Sequence, residues 1–249
     1  MRTAVVHDYL AQSGGAERVA AALHELFPDA PLYASVYDSK ASRPYFAEID
    51  VRTSFLQRSP LSSRRLHKLA LPFYPAAFES FDFQGYDLVL SSSSSFAKGV
   101  ITPPEACHVC YCHTPARFAW RQHEYLSQSR RGRLFSLLMQ GMLRRLRSWD
   151  LESSQRPGFF IANSENVARR NRKYYRREAA AVIPPPSRPG GTPRPPRTRS
   201  AATSWWSRAW SATSAWTWPG YSAGPGRRSG SWGGCPTPRW RRSTPAAAR

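Results

Sequence analysis

Buried-strand patterns alternate with amphipathic-helix patterns along residues 1–186. Thr3-Ala4-Val5-Val6 is a short apolar run of the kind that fills a parallel strand covered on both faces. Ala16, Val19, Ala20, Leu23 and Phe27 then share one face at helical spacing, and Pro28-Asp29 ends that helix. Leu32 to Val36 and Asp50 to Leu56 read as a second and a third strand. Leu66 to Phe83 is apolar and aromatic but interrupted by Pro72 and Pro75, which predicts broken helix lying across the sheet. Asp87-Leu88-Val89-Leu90 is a fourth strand, followed directly by the serine run Ser91 to Ser95 as a loop. Cys107 to Cys112 is a fifth. Arg130 to Trp149 predicts a long helix with Leu134, Leu137, Leu138, Met142 and Leu146 as its apolar stripe. Gly158 to Ala162 is another strand, Ser164 caps a helix running to about Tyr175, and Ala180 to Ile183 is a last short strand. The alternation predicts an α/β fold: a doubly wound, Rossmann-like parallel sheet.

Open sheets of this kind bind ligands outside the carboxyl ends of their strands, and three of those ends carry candidate chemistry. After the first strand, Gly14 and Gly15 open a helix. Amide N–H groups and the positive end of the helix dipole converge there, which suits a phosphate. Ordinary turn chemistry accounts for the two glycines as well. After the fourth strand, the serine run with Ser93 at its centre offers hydroxyls and amides to the same cleft, or is a plain low-complexity loop. After the fifth comes His113-Thr114-Pro115-Ala116-Arg117-Phe118-Ala119-Trp120. Pro115 has no N–H for a sheet ladder, so the strand stops before it and leaves His113 and Thr114 at its end. His113 is either a ligand-facing group or a core histidine satisfied by the backbone, and its neighbours favour the first.

Charge and cysteines change this picture little. The chain carries a formal charge of +20, but residues 187–249 hold eleven Arg and no acid. Residues 1–186 have the other 25 Lys and Arg against 16 acids, or +9. Cys107, Cys110 and Cys112 invite a metal reading, yet a second ligand pair is missing, and small buried core residues are the expectation. No secretory signal and no apolar run of membrane length is visible, so a cytoplasmic, reduced protein is expected. Arg130, Arg131, Arg133, Arg144, Arg145 and Arg147 crowd the ends of the long helix. They form a solvated charged face, or a surface for peripheral contact with the inner face of an anionic membrane.

HDYLAQSGGAERV, DLVLSSSSSFAKGV, CYCHTPARFAW, FFIANSENVARR and AVIPPP together resemble the amino-terminal half of a retaining glycosyltransferase of family 4, with the GT-B fold. The HTPxRFxW pattern and the ANS pattern followed by Val-Ala-Arg carry most of the likeness. It covers residues 1 to about 186, the acceptor-side Rossmann-like domain. The resemblance implies a nucleotide-sugar donor as co-substrate, a saccharide or lipid-linked acceptor, no metal ion and no other cofactor. Gly14 and Gly15 would approach the donor diphosphate and the acceptor. His113 would contact the donor sugar near the reacting carbon. Arg117 and Ser164 would line the cleft, where Ser93 and Thr114 are already candidates from their strand ends. The carboxylate and cations for the leaving diphosphate would lie in a second domain.

Residues 187–249 do not fit that second domain. They lack Leu, Ile, Val, Phe, Met, Asp, Glu and Lys, and hold seven of the nine Trp. No periodic apolar face can be drawn, so a disordered tail is expected. An out-of-frame translation explains the composition. Read one base earlier, Trp205-Trp206-Ser207 becomes an apolar triplet containing Val-Val. Ala209 to Pro219 then permits Leu-Val-Gly-Tyr-Lys-Arg-Val-Asp-Leu-Ala, similar to the opening of the family's second domain. The rival is a genuine Arg/Trp tail binding nucleic acid, with arginines on phosphates and tryptophans stacked on bases. On the first reading there is no nucleic-acid partner and little or no transferase activity, and a non-catalytic acceptor-binding module is the fallback. Sequencing the DNA across codons 180–249 should show a gained or lost base; a read that upholds the present frame excludes the frameshift.

Overall fold

The computed structural model describes residues 1–60, 70–120 and 133–186, with the side chains of residues 43, 44 and 133–136 also outside the description. The tail at 187–249 and the start of the long helix at Arg130 therefore lie outside the described residues. Seven parallel strands form one sheet: β1 (Thr3–His7), β2 (Leu32–Ala34), β3 (Val51–Thr53), β4 (Leu88–Ser93), β5 (Cys107–Cys112), β6 (Phe159–Ala162) and β7 (Ala181–Val182). Their order is β3-β2-β1-β4-β5-β6-β7. The chain builds outward from β1 to β3, returns to the other side of β1 with β4, and builds outward again. That is the doubly wound, Rossmann-like pattern, and the reversal lies between β1 and β4.

Helices cover both faces. α1 (Gly15–Leu26) and α2 (Ser39–Phe46) lie on one, where Val19, Ala20, Leu23, Leu26 and Phe46 pack on Val5, Leu32, Leu90 and Val109. α3 (Tyr74–Glu79) and α5 (Arg133–Ser153) lie on the other, where Tyr74, Phe78, Leu143 and Leu146 pack on Ala4, Val6 and Val89. Between them in sequence is the short α4 (Arg117–Trp120), and α6 (Glu165–Tyr175) covers Cys110, Cys112, Phe160 and Ala162. Successive strand residues point to opposite faces, so continuous apolar runs such as Ala4-Val5-Val6 serve both layers.

Two differences from the sequence expectation bear on the site. First, Ser91, Ser92 and Ser93 belong to β4 and are buried; they do not form a loop after it. β4 has partners on both sides, β1 and β5, so its ladder extends as far as theirs. Second, α5 presents a different stripe. Leu143, Leu146, Asp150 and Ser153 are buried, while Leu137 and Leu138 are 64% and 68% exposed. Polar Asp150 and Ser153 face inward because a buried cation and the chain after β4 meet them there. The interrupted stretch before β4 gives a 3-10 turn (Leu71–Phe73) and α3, with proline near the start of each. The expected residues 66–69 of that stretch lie outside the described residues.

A polar knot ties together the segments that follow β4, β5 and β6. After β4 the chain makes a 3-10 turn (Ala97–Gly99) carrying Lys98. The Lys98 ammonium pairs with Asp150 of α5 and donates to the Ser95 carbonyl at 2.6 Å. Lys98 and Asp150 are 1% and 2% exposed. Asp150 also accepts from Trp120 Nε1 at 2.7 Å and from the Tyr175 hydroxyl at 2.9 Å and 3.1 Å. Removing the carboxylate charge leaves a buried ammonium unpaired, at a cost of about 3–5 kcal/mol. Asp150→Asn should therefore lower the urea-unfolding free energy by about that amount. Breaking the exposed Arg172–Glu178 pair should leave the midpoint unmoved, since solvent already screens it. Equal effects of the two variants would contradict the account.

Candidate functional site

The residues that leave β1, β4 and β5 meet at the carboxyl ends of the strands, beside the reversal. Asp8 follows β1 and is fully buried. Its carboxylate accepts from the amides of Ser94 at 2.5 Å, Phe96 at 2.7 Å and Ala97 at 2.6 Å. Burial pushes the Asp8 carboxyl above its ordinary value, and the three amides and Lys98 pull it back. This anchor fixes the chain after β4 against the chain after β1.

His113 leaves β5 in a defined pose. Its amide donates to the Ser93 carbonyl at 2.8 Å, and its own carbonyl accepts from Asn163 Nδ2 at 3.0 Å. The ring meets Ser92 Oγ through Nε2 at 2.8 Å. Ser92 in turn meets Nδ1 of His7, the last residue of β1, at 3.1 Å. The two imidazoles stand edge-on with centroids 6.5 Å apart. Burial lowers both to about 4, and a charge on His7 would further disfavour one on His113, so both rings are neutral near pH 7.

Gly14 and Gly15 start α1 at the same edge. Glu17, in the first helical turn, folds back and accepts from the Gly14 amide at 3.0 Å. A Cβ on Gly14 would stand 2.7 Å from that carboxylate oxygen, so this glycine admits its own cap. A Cβ on Gly15 would meet nothing within 4 Å. Space is thus open beside the amides of the first turn, which have no acceptor within the helix. Tyr9 is 36% exposed near this opening. Burial and the charges of Asp8 and Glu17 raise its hydroxyl, and the Arg117 charge lowers it.

The other expected residues take quieter places. Ser93 is buried in β4, and it is Ser92 whose hydroxyl meets His113. The Thr114 hydroxyl donates to the Pro115 carbonyl at 3.2 Å and accepts from Arg170 Nη1 at 3.4 Å. Arg117 is exposed on α4. Ser164 caps α6, accepting from the Val167 amide at 3.4 Å. Cys110 and Cys112 are buried free thiols, the first pushed up to about 12 by burial. Among the described residues no three His, Cys, Asp or Glu gather as metal ligands, and no helix is long and apolar enough to cross a membrane. A cavity of 530 Å³ lies at the opposite edge of the sheet, against Arg2, Asp29, Asp50, Arg52 and Tyr86. Arg52 there is already engaged by Asp50 and Tyr33.

Sequence reasoning passed over His7, Asp8, Lys98, Asp150 and Tyr175, and within the serine run it chose Ser93, not Ser92. His7-Asp8 stood at the carboxyl end of a predicted strand, which was signal enough to include them. Asp150 and Tyr175 carried no local signal.

The buried histidines set a pH dependence. A ring lowered to about 4 in the folded chain takes up its proton in the unfolded chain first, near 6.5. Folding stability should therefore fall as pH drops from 6.5 towards 4, by on the order of 2 kcal/mol or more. The raised Asp8 carboxyl acts in the opposite direction, so the measurement is the difference between wild type and His113→Asn. The variant should show the shallower fall in denaturant titrations across that window.

The family model described as Glycosyltransferase Family 4 matches residues 13–187. No curated protein and no solved structure matches the chain. The matched segment begins just before the paired glycines, runs through the serine strand, the His-Thr-Pro turn and the Ser164 cap, and covers most of the chain: the protein belongs to glycosyltransferase family 4.

Proposed function

We propose that the described domain is the acceptor side of a cleft in which a sugar passes, with retention at the anomeric carbon, from a nucleotide-sugar to a saccharide or lipid-linked acceptor. One observation carries this reading. A neutral imidazole, His113, and the open amide end of α1 at Gly15 lie on the same edge of the sheet, at its topological reversal. Amides there meet phosphate oxygens without a desolvated counter-charge. The imidazole supplies a polar contact for a sugar hydroxyl. Arg117, exposed at the start of α4 just after the His-Thr-Pro turn, offers a cation for the diphosphate.

The second reading, an acceptor-binding module without chemistry, draws on composition. Residues 187–249 contain no carboxylate and no Lys. The family resemblance puts the groups that meet the leaving diphosphate in a second domain. The 249-residue chain should accordingly bind ligand and turn over little or none. Incubating it with radiolabelled UDP-glucose or GDP-mannose and a panel of saccharide and lipid-linked acceptors tests this. Transfer products at rates ordinary for such enzymes would overturn the expectation of inactivity. Absence of any binding by calorimetry would remove the cleft reading.

Gly15→Ala separates site from scaffold. The new methyl meets no described residue outside its own helix and replaces glycine with the better helix former, worth up to about 1 kcal/mol. The variant should melt at the same or a higher temperature and bind nucleotide-sugar several-fold more weakly. Unchanged binding would show that the open space at Gly15 is not used.

A further inference from the structure

The hydrogen bonds around Ser92 define which nitrogen of His113 carries the proton. His7 Nδ1 stands 3.1 Å from the Ser92 carbonyl oxygen and 3.1 Å from Ser92 Oγ. A carbonyl oxygen only accepts, so His7 Nδ1 must carry the hydrogen. Its N–H then points at the carbonyl and the hydroxyl oxygen together. Ser92 is fully buried, and its Oγ has one other described partner, His113 Nε2 at 2.8 Å. The hydroxyl hydrogen has nowhere else to go. If His113 Nε2 also carried a hydrogen, two N–H groups would face one oxygen, and the hydroxyl hydrogen would be buried without an acceptor. The arrangement that uses every hydrogen runs one way, from His7 through Ser92 to a lone pair on His113 Nε2. A neutral imidazole with a lone pair on Nε2 has its hydrogen on Nδ1. Nδ1 of His113 makes no hydrogen bond among the described residues, and it is not among the buried atoms left without a partner, unlike Nδ1 of His108.

We propose that Ser92 and His7 are positioning residues that hold His113 as the Nδ1–H tautomer, so that the ring meets its ligand as a neutral hydrogen-bond donor to an oxygen acceptor such as a sugar hydroxyl. The tautomer assignment stands on the geometry alone; the ligand contact rests on the reading of the cleft given above. It follows that His113 takes no proton from the ligand. Nδ1 is already protonated, and Nε2 faces Ser92. Ser92 and His7 touch no ligand in this scheme and act through the ring they orient.

The test is long-range nitrogen–proton NMR on the full 15N-labelled chain without ligand near pH 7, with the His113 signals assigned by His113→Asn. Wild type should show the pattern of a single Nδ1–H tautomer at His113. An Nε2–H pattern there, or an even mixture, overturns the proposal. Ser92→Ala removes the hydroxyl and should convert the single pattern into a mixture or to Nε2–H, whereas Ser92→Thr should restore the wild-type pattern. A Ser92→Ala spectrum indistinguishable from wild type also overturns it, and should these variants not fold, the wild-type spectrum decides alone. The measurement needs neither sugar nor turnover, so failure of the transferase reading would leave the tautomer result standing. Where His113 does face ligand, adding UDP-glucose should shift Nδ1 while Nε2 stays near its free position. A shift confined to Nε2 would count against the donor role.

Discussion

A buried ammonium against a buried carboxylate is the constraint on which the crevice depends. Lys98 sits on the turn after β4 and Asp150 on α5, 52 residues later in the chain. Neither charge can be left alone in the interior without a large desolvation cost, so the turn and the helix are held to one relative position. Asp150 extends that hold to Trp120 at the end of α4 and to Tyr175 at the end of α6. Tyr175 then receives the Ala116 amide at 3.4 Å, directly after the His-Thr-Pro turn. One carboxylate thereby ties together the segments that follow β4, β5 and β6.

Asp8 does the matching task from the other side. Three amides of the chain after β4 converge on its carboxylate. The serine strand is consequently gripped at its end by two acids from different elements, one on each side. That rigidity gives meaning to the Ser92 bridge between His7 and His113. A hydroxyl can set the state of an imidazole only if both are held within a few tenths of an ångström by other bonds. The His113 amide and carbonyl are each bonded, to Ser93 and Asn163, which supplies that hold.

The glycine pair divides its work. Gly14 accommodates the Glu17 carboxylate that caps the helix, and Gly15 leaves the space beside it open. A carboxylate at a helix N-terminus partly fills the role that an anionic ligand would have. Cys110 and Cys112 do something different. They are small residues on the α6 side of β5, packed with Phe160 and Val167, and burial keeps them as thiols.

What could be read from the chain alone was whatever depends on neighbours in sequence. Apolar runs such as Ala4-Val5-Val6 and Leu88-Val89-Leu90 announce strands covered on both faces, because period and composition are local properties. Ser164 announces its cap for the same reason. His113 and Gly14-Gly15 were placed at strand ends by their position in those runs. The order of strands, the extension of β4 through Ser93, and the inward face of α5 were not legible, since each is decided by what packs alongside. Leu137 and Leu138 looked like the buried stripe because they are apolar; Asp150 and Ser153 took that place because Lys98 stands opposite the first and Gly99 opposite the second. The same holds for the tautomer of His113, which is set by a serine 21 residues away and a histidine on another strand. Periodicity along one segment determines which elements form, and only the meeting of distant segments decides which polar groups must face inward to satisfy one another.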